Sequence, residues 1–155
     1  MGSVDPAFTE NLSRILVPAL EDAGFRFDGR RVLRRRVGGC IQIVDVQVGD
    51  RFMQGKFTIN LAVYDPTSDA ADVERATVRE YDCDWKRRQR LGMLLPPRFP
   101  VLRKLPVVGT LFGANDVWWS TSGPDGIGRA RDTLFKYGVT WLEQHTRASS
   151  YSEPR

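Results

Sequence analysis

The spacing of apolar residues changes period at Gly24, and that change constrains the fold more than any other feature of the chain. Before it, Phe8, Leu12, Ile15, Leu16, Ala19, Leu20 and Ala23 recur at intervals of three and four, which places them on one face of a helix. Glu10, Asn11, Arg14, Glu21 and Asp22 fall opposite, so the spacing predicts an amphipathic helix over residues 6–23. Asp5 can accept its orphan N–H groups, and Pro6 at the first helical position loses no needed donor. Pro18 lies inside the pattern, where it removes a hydrogen bond and crowds the Arg14 carbonyl, so the helix is expected to kink there or end early.

After Gly24 the period is two. Phe57, Ile59, Leu61 and Val63 alternate with Lys56, Thr58, Asn60 and Ala62, the mark of a strand with one face on a core. Residues 40–48 are rich in β-branched residues but shift phase, Ile41 and Ile43 against Val44, Val46 and Val48. A bulge or burial on both faces is implied. Val32 to Val37 reads as an arginine-rich strand joined to the next by Gly38 and Gly39, which suit a tight hairpin turn. Gly49 to Gln54 predicts a second hairpin. Val117 to Ser120 reads as one further strand, followed by turn residues and a helix over 127–146, with Asp125 as its cap.

The segment from Asp65 to Asn115 is long for a connection and must hold structure or a functional loop. Val73 to Tyr81 reads as a helical turn or an extended edge, and Asp82 to Leu95 as a short basic helix. Pro96, Pro97, Pro100 and Pro106 then forbid regular helix through a stretch that still carries Phe99, Val101, Leu102 and Phe112. Such a loop packs on the core or offers an apolar patch to a partner. The predicted architecture is α+β: an antiparallel sheet of about four strands against N-terminal and C-terminal helices, with a long irregular Pro-rich insertion. With 155 residues, 41% of them hydrophobic, the chain has material for one core. Residues 1–148 are expected to form a single domain and 149–155 a disordered tail.

Taken together, the helix ending in Leu20, Ala23, Gly24 and Phe25, the strand ending Asp45-Val46-Gln47, the alternating strand Phe57 to Val63, the Cys83 to Leu91 segment and the Trp118-Trp119 pair resemble the bacterial domain-of-unknown-function family catalogued as number 4304. The Pro-rich residues 96–113 look longer than the family's usual connection. The family has no established activity, so the resemblance supplies no catalytic residue. It implies kinship with small bacterial proteins that act by binding, some of which serve as immunity partners for toxins; that last step is analogy.

Chemistry is excluded more readily than assigned. Cys40 and Cys83 lie far apart with no CxxC or Cys/His cluster, which argues against a zinc site or a disulfide scaffold and fits a reducing cytoplasm. No signal-peptide pattern and no spanning apolar stretch is present, so no membrane association is expected. His145 is the sole histidine, and its place late in a helix suits capping or packing. Cys83 sits between Asp82 and Asp84, whose charges disfavour the thiolate, while Lys86 to Arg90 pull the other way. Asp65, Asp69 and Asp72 lack a calcium-loop order, and Gly123, Gly126 and Gly128 miss the dinucleotide fingerprint. No catalytic residue, metal or cofactor is assigned.

Charge is strongly segregated beneath a net +4. Six arginines crowd residues 26–36 against Asp28 alone, an acidic stretch follows over 65–84, and Lys86, Arg87, Arg88, Arg90, Arg98, Arg103 and Lys104 come next. The functional expectation is a non-enzymatic protein-binding module, of which an immunity-type neutraliser is one form. The candidate partner-binding residues are Arg34, Arg36, Trp85, Arg87, Arg88, Arg90, Phe99 and Trp119. Charge reversal at Arg87 and Arg88 is expected to weaken capture of a protein partner while leaving the fold intact. Trp118 and Trp119 point to opposite faces, so one can anchor the core and the other meet a partner. Trp85 beside Lys86 to Arg90 would also suit nucleic acid, which is the alternative reading, and an enzyme using Cys83 or a carboxylate is a third.

Overall fold

The computed structural model describes residues 4–70, 74–96 and 116–150, with Ser149 and Ser150 described by backbone alone. Helix α1 spans Pro6–Asp22, and the Asp5 carboxylate accepts from the Ala7 N–H at 3.0 Å, as the sequence predicts. It does not end at Pro18. That residue is exposed and so is Arg14, so the backbone bond that proline removes falls on the solvent side of the helix, where water can replace it. Phe8, Leu12, Leu16, Val17 and Leu20 form the buried stripe.

Six strands make one antiparallel sheet among the described residues: β1 (Arg26–Phe27), β2 (Val32–Val37), β3 (Cys40–Val48), β4 (Lys56–Tyr64), β5 (Arg88–Arg90) and β6 (Trp119–Ser120). The first five lie in chain order, and β6 pairs with the start of β4. Gly38 and Gly39 close the β2–β3 hairpin with φ of 57° and 83°, the doubly left-handed turn that matches strand twist. The β2–β3–β4 register runs without interruption, from Val32 opposite Asp45 to Val48 opposite Phe57. The phase shift in residues 40–48 is therefore burial on both faces and not a bulge, and Cys40 to Val46 are all buried.

One face carries Leu33, Val44, Val46, Phe57, Ile59, Leu61 and Val63 and packs beneath the helices. Phe57 bridges the two chain ends, its ring 5.1 Å from Phe8 and 6.0 Å from Trp119. The C-terminal helical element comprises α2 (Asp125–Thr133), a π-helical turn (Leu134–Gly138) and α3 (Val139–Ser150). Pro124 occupies the cap position and Asp125 the first turn without a capping bond, so Asp125 complements the helix dipole and does not cap. Ser149 and Ser150 belong to α3, which carries the helix beyond residue 146 and into the segment expected to be disordered.

The opposite face has its own apolar cluster, Val32, Ile41, Ile43, Ala62, Tyr64, Val78 and Cys83. The segment that covers it runs over residues 74–95, and the basic helix expected over Asp82 to Leu95 does not form there. Residues Glu80–Asp82, Trp85–Arg87 and Leu91–Leu94 are 3-10 turns, and β5 lies between the last two. The physical reason is patterning: Lys86 to Arg90 offer no apolar stripe for a helix to bury, whereas pairing of β5 with Asn60 to Ala62 satisfies the backbone. Residues 75–77 form a turn and not an edge strand. The Pro-rich 97–115 insertion, with Phe99, lies outside the described residues, as does the tail beyond Ser150.

Candidate functional site

Most of the basic segment from Lys86 to Arg90 is spent inside the molecule. The Arg87 Nη2 donates to Asp69 at 2.7 Å and to Ser68 at 3.0 Å, and its Nε reaches the Val63 carbonyl at 3.2 Å. Burial works against the Arg87 charge, but the Asp69 carboxylate outweighs it and raises the pKa. Arg88 pairs with Glu80 at 2.8 Å, and Arg90 with Asp116 while lying 5.3 Å over the Trp118 ring. Asp69 also accepts the Asp65 and Asp84 backbone N–H groups. Reversing the Arg87 charge would thus set two carboxylates against each other in a buried corner, so Arg87 is a structural residue and not a free binding contact.

Trp119 is buried at 7% exposure against Phe57, which removes it as an outward anchor. Trp118 is half-buried, its Nε1 donating to Asp116 at 3.1 Å. Trp85 is exposed at 73%, with the Lys86 ammonium 5.8 Å from its ring centre. His145 stacks on Trp141 at 3.9 Å, and its Nδ1 lies 2.8 Å from the Trp141 carbonyl, a packing role within α3. Asp65 and Asp69 are engaged in turn hydrogen bonds, and no metal-holding cluster of His, Cys, Asp or Glu occurs among the described residues.

The arginines nearer the N-terminus behave differently. In β1, Arg26 stands directly opposite Arg34, and in β2 Arg34 and Arg36 share the sheet face away from the helices. Like charges directly opposite on paired strands oppose folding. Beyond Arg26 the chain turns away towards α1, and a cleft of about 580 Å³ opens beside Arg34, Arg35 and Arg36. Arg26, Phe27 and Asp28 border it from β1, Ile41 from β3, and Arg75 and Ala76 from the covering segment. Five arginines and one carboxylate line it.

Each charge is held in a particular way. Asp28 Oδ1 accepts the backbone N–H groups of Arg30, Arg31 and Val32 at 2.8, 3.0 and 3.1 Å, which fixes the β1–β2 turn. Partial burial pushes its carboxyl up, and these bonds together with Arg34 outweigh that and hold it below the ordinary carboxylate range. Arg34 donates to the Val78 carbonyl at 2.7 Å and lies 4.0 Å from Asp28. Burial lowers its pKa, with Arg79 adding repulsion. Arg35 donates twice to Gln42 Oε1, at 2.9 and 2.7 Å, and once to the Ala23 carbonyl at 2.8 Å, while its guanidinium covers the Phe25 ring at 4.6 Å. All its acceptors are neutral, so its charge is positioned without being compensated. Arg26, Arg36 and Arg75 are exposed and form no ion pair among the described residues.

The structure thus brings Arg34 and Arg36 to one site and leaves Arg87, Arg88 and Arg90 in internal pairs elsewhere. Sequence reasoning did not assign Arg26, Arg35 and Arg75 to the site. The crowding at residues 26–36 carried a signal for the first two; nothing local marks Arg75, which arrives through the fold of the covering segment.

The fold and the site define a small α+β domain with a cationic cleft at a sheet edge. The family model for the domain of unknown function DUF4304 matches residues 16–136, and the chain belongs to that family. The match covers α1 from Ile15's neighbour onward, the whole sheet and the cleft. No curated protein and no solved structure matches the chain. No helix among the described residues is long and apolar enough to cross a membrane.

Proposed function

We propose that this chain is a non-enzymatic binding module that captures an acidic protein surface through the arginine-lined cleft beside β2. One observation carries the reading: where the basic segment near Arg88 is neutralised by its own acidic neighbours, the cleft gathers five arginines around a single carboxylate that is already engaged. Unpaired, preorganised guanidinium groups cost stability and are suited to carboxylates arriving from outside. The immunity-type form of this function requires a stoichiometric acidic protein as the target.

The test is affinity capture by the tagged full chain from its native cell lysate after nuclease treatment. An acidic protein retained by the wild type, and captured about tenfold less well by the triple variant Arg26→Glu, Arg36→Glu, Arg75→Glu, is the expected result. Capture indifferent to the triple reversal, or abolished by nuclease, rejects the reading. Exposed Trp85 beside Lys86 supports a second reading, single-stranded nucleic acid stacking on that ring. It predicts nuclease-sensitive capture that Trp85→Ala removes.

A further inference from the structure

We propose that the same cleft binds a compact polyphosphate, the di- or triphosphate group of a nucleotide or of an inorganic phosphate chain. The inference rests on the cleft being the working site and adds a small-molecule ligand that would compete there with an acidic protein.

Size is the first argument. At about 580 Å³ the cleft falls within the roughly 300–1,000 Å³ of small-molecule sites. Charge density is the second. A carboxylate side chain brings one charge on two oxygens, whereas a phosphate chain concentrates several charges and many acceptors within the width of one cleft. Five arginines line the cleft from three separate parts of the chain, Arg34 and Arg36 on one sheet face and Arg35 on the other, and a planar guanidinium matches a phosphate edge with two parallel hydrogen bonds. The third argument is division of labour. Arg34 and Arg35 are fixed by neutral carbonyl and amide acceptors, so their positions are set before any ligand arrives. Arg26, Arg36 and Arg75 are exposed at the rim, form no ion pair among the described residues, and can close on a ligand. Asp28 cannot compete for them, since one of its oxygens is taken by three backbone N–H groups and the other lies 4.0 Å from Arg34.

The experiment is calorimetric titration of the full chain with tripolyphosphate, ATP and citrate, in salt of about 150 mM to suppress loose ion association. Tripolyphosphate is expected to bind one to one, with citrate at least about tenfold weaker, and Arg26→Glu/Arg36→Glu losing about tenfold or more. Arg75→Gln, a milder change at an exposed site, is expected to weaken binding by a smaller factor. ATP binding equal to tripolyphosphate assigns recognition to the phosphate chain alone; tighter ATP binding assigns it to a nucleotide. Absence of saturable binding, equal affinity for citrate, or binding unchanged in both variants overturns the proposal. If the proposal falls while acidic-protein capture still depends on Arg26, Arg36 and Arg75, only the polyphosphate is wrong; if capture is also indifferent, the cleft itself is not the site.

Discussion

Cys83 shows how a side chain that sequence makes ambiguous becomes definite once its neighbours are placed. Its thiol is buried with Val32, Ile43 and Val78 and donates to the Arg79 carbonyl at 3.6 Å. Burial, reinforced by Asp69, pushes the thiol from its ordinary 9.0 up to about 12, so the basic residues that follow it in sequence do not activate it. Because the folded value lies above the unfolded one, the thiol's contribution to stability is complete below pH 9 and is lost as pH rises towards 12. The wild type is expected to lose up to about 1.4 kcal/mol per pH unit more than Cys83→Ser across that window. Urea unfolding of both proteins at stepped pH checks it, and parallel slopes would contradict it. Asp45 shows the same competition between burial and pairing. Burial raises its carboxyl more than the Arg79 guanidinium, 2.8 Å away, lowers it, while the more exposed Arg79 is held charged by the pair.

Among elements, period decides what a sequence reveals. Helix α1 and strands β2 to β4 are long enough for spacings of three to four or two to repeat, and all are legible. Strands β1 and β5 are two or three residues long, too short for a repeat, and exist because Arg34 and Asn60 on longer strands offer pairing partners; β6, also two residues long, is legible instead from the β-branched and aromatic run at Val117 to Trp119, and it pairs with the start of β4. The same context separates glycines that look alike in GPDGIG. A Cβ on Gly126 would lie 2.3 Å from the Ser120 carbonyl oxygen, where α2 presses on the end of β6, while one on Gly128 meets nothing within 4 Å. Gly126→Ala is therefore expected to destabilise by about 1–3 kcal/mol through forced backbone movement. Gly128→Ala should be neutral or stabilise by up to about 1 kcal/mol through helix propensity. Denaturant midpoints of the two variants check the contrast, and equal shifts would contradict the close packing of α2 on β6.

At the scale of the molecule, the charge blocks visible in sequence resolve into two fates. The acidic stretch folds back on the basic segment beside it, through Asp69 with Arg87 and Glu80 with Arg88, while the arginines of β1 and β2 meet another arginine, Arg75, at the sheet edge. Two of the five arginines of the candidate site, Arg34 and Arg36, were legible in the arginine-rich strand, and the crowding at residues 26–36 carried a signal for Arg26 and Arg35. Arg75 was not legible, because an approach across tens of residues leaves no local pattern. The proposed function requires binding at this cleft and not at residues 85–90. Nuclear magnetic resonance mapping of arginine Nε–H and backbone amide shifts, during titration with an acidic partner or tripolyphosphate, tests it most directly. Shifts concentrated at Arg26, Arg34, Arg35, Arg36 and Arg75 are the predicted result, and shifts concentrated at Trp85, Lys86 and Arg88 with the cleft unmoved would contradict it.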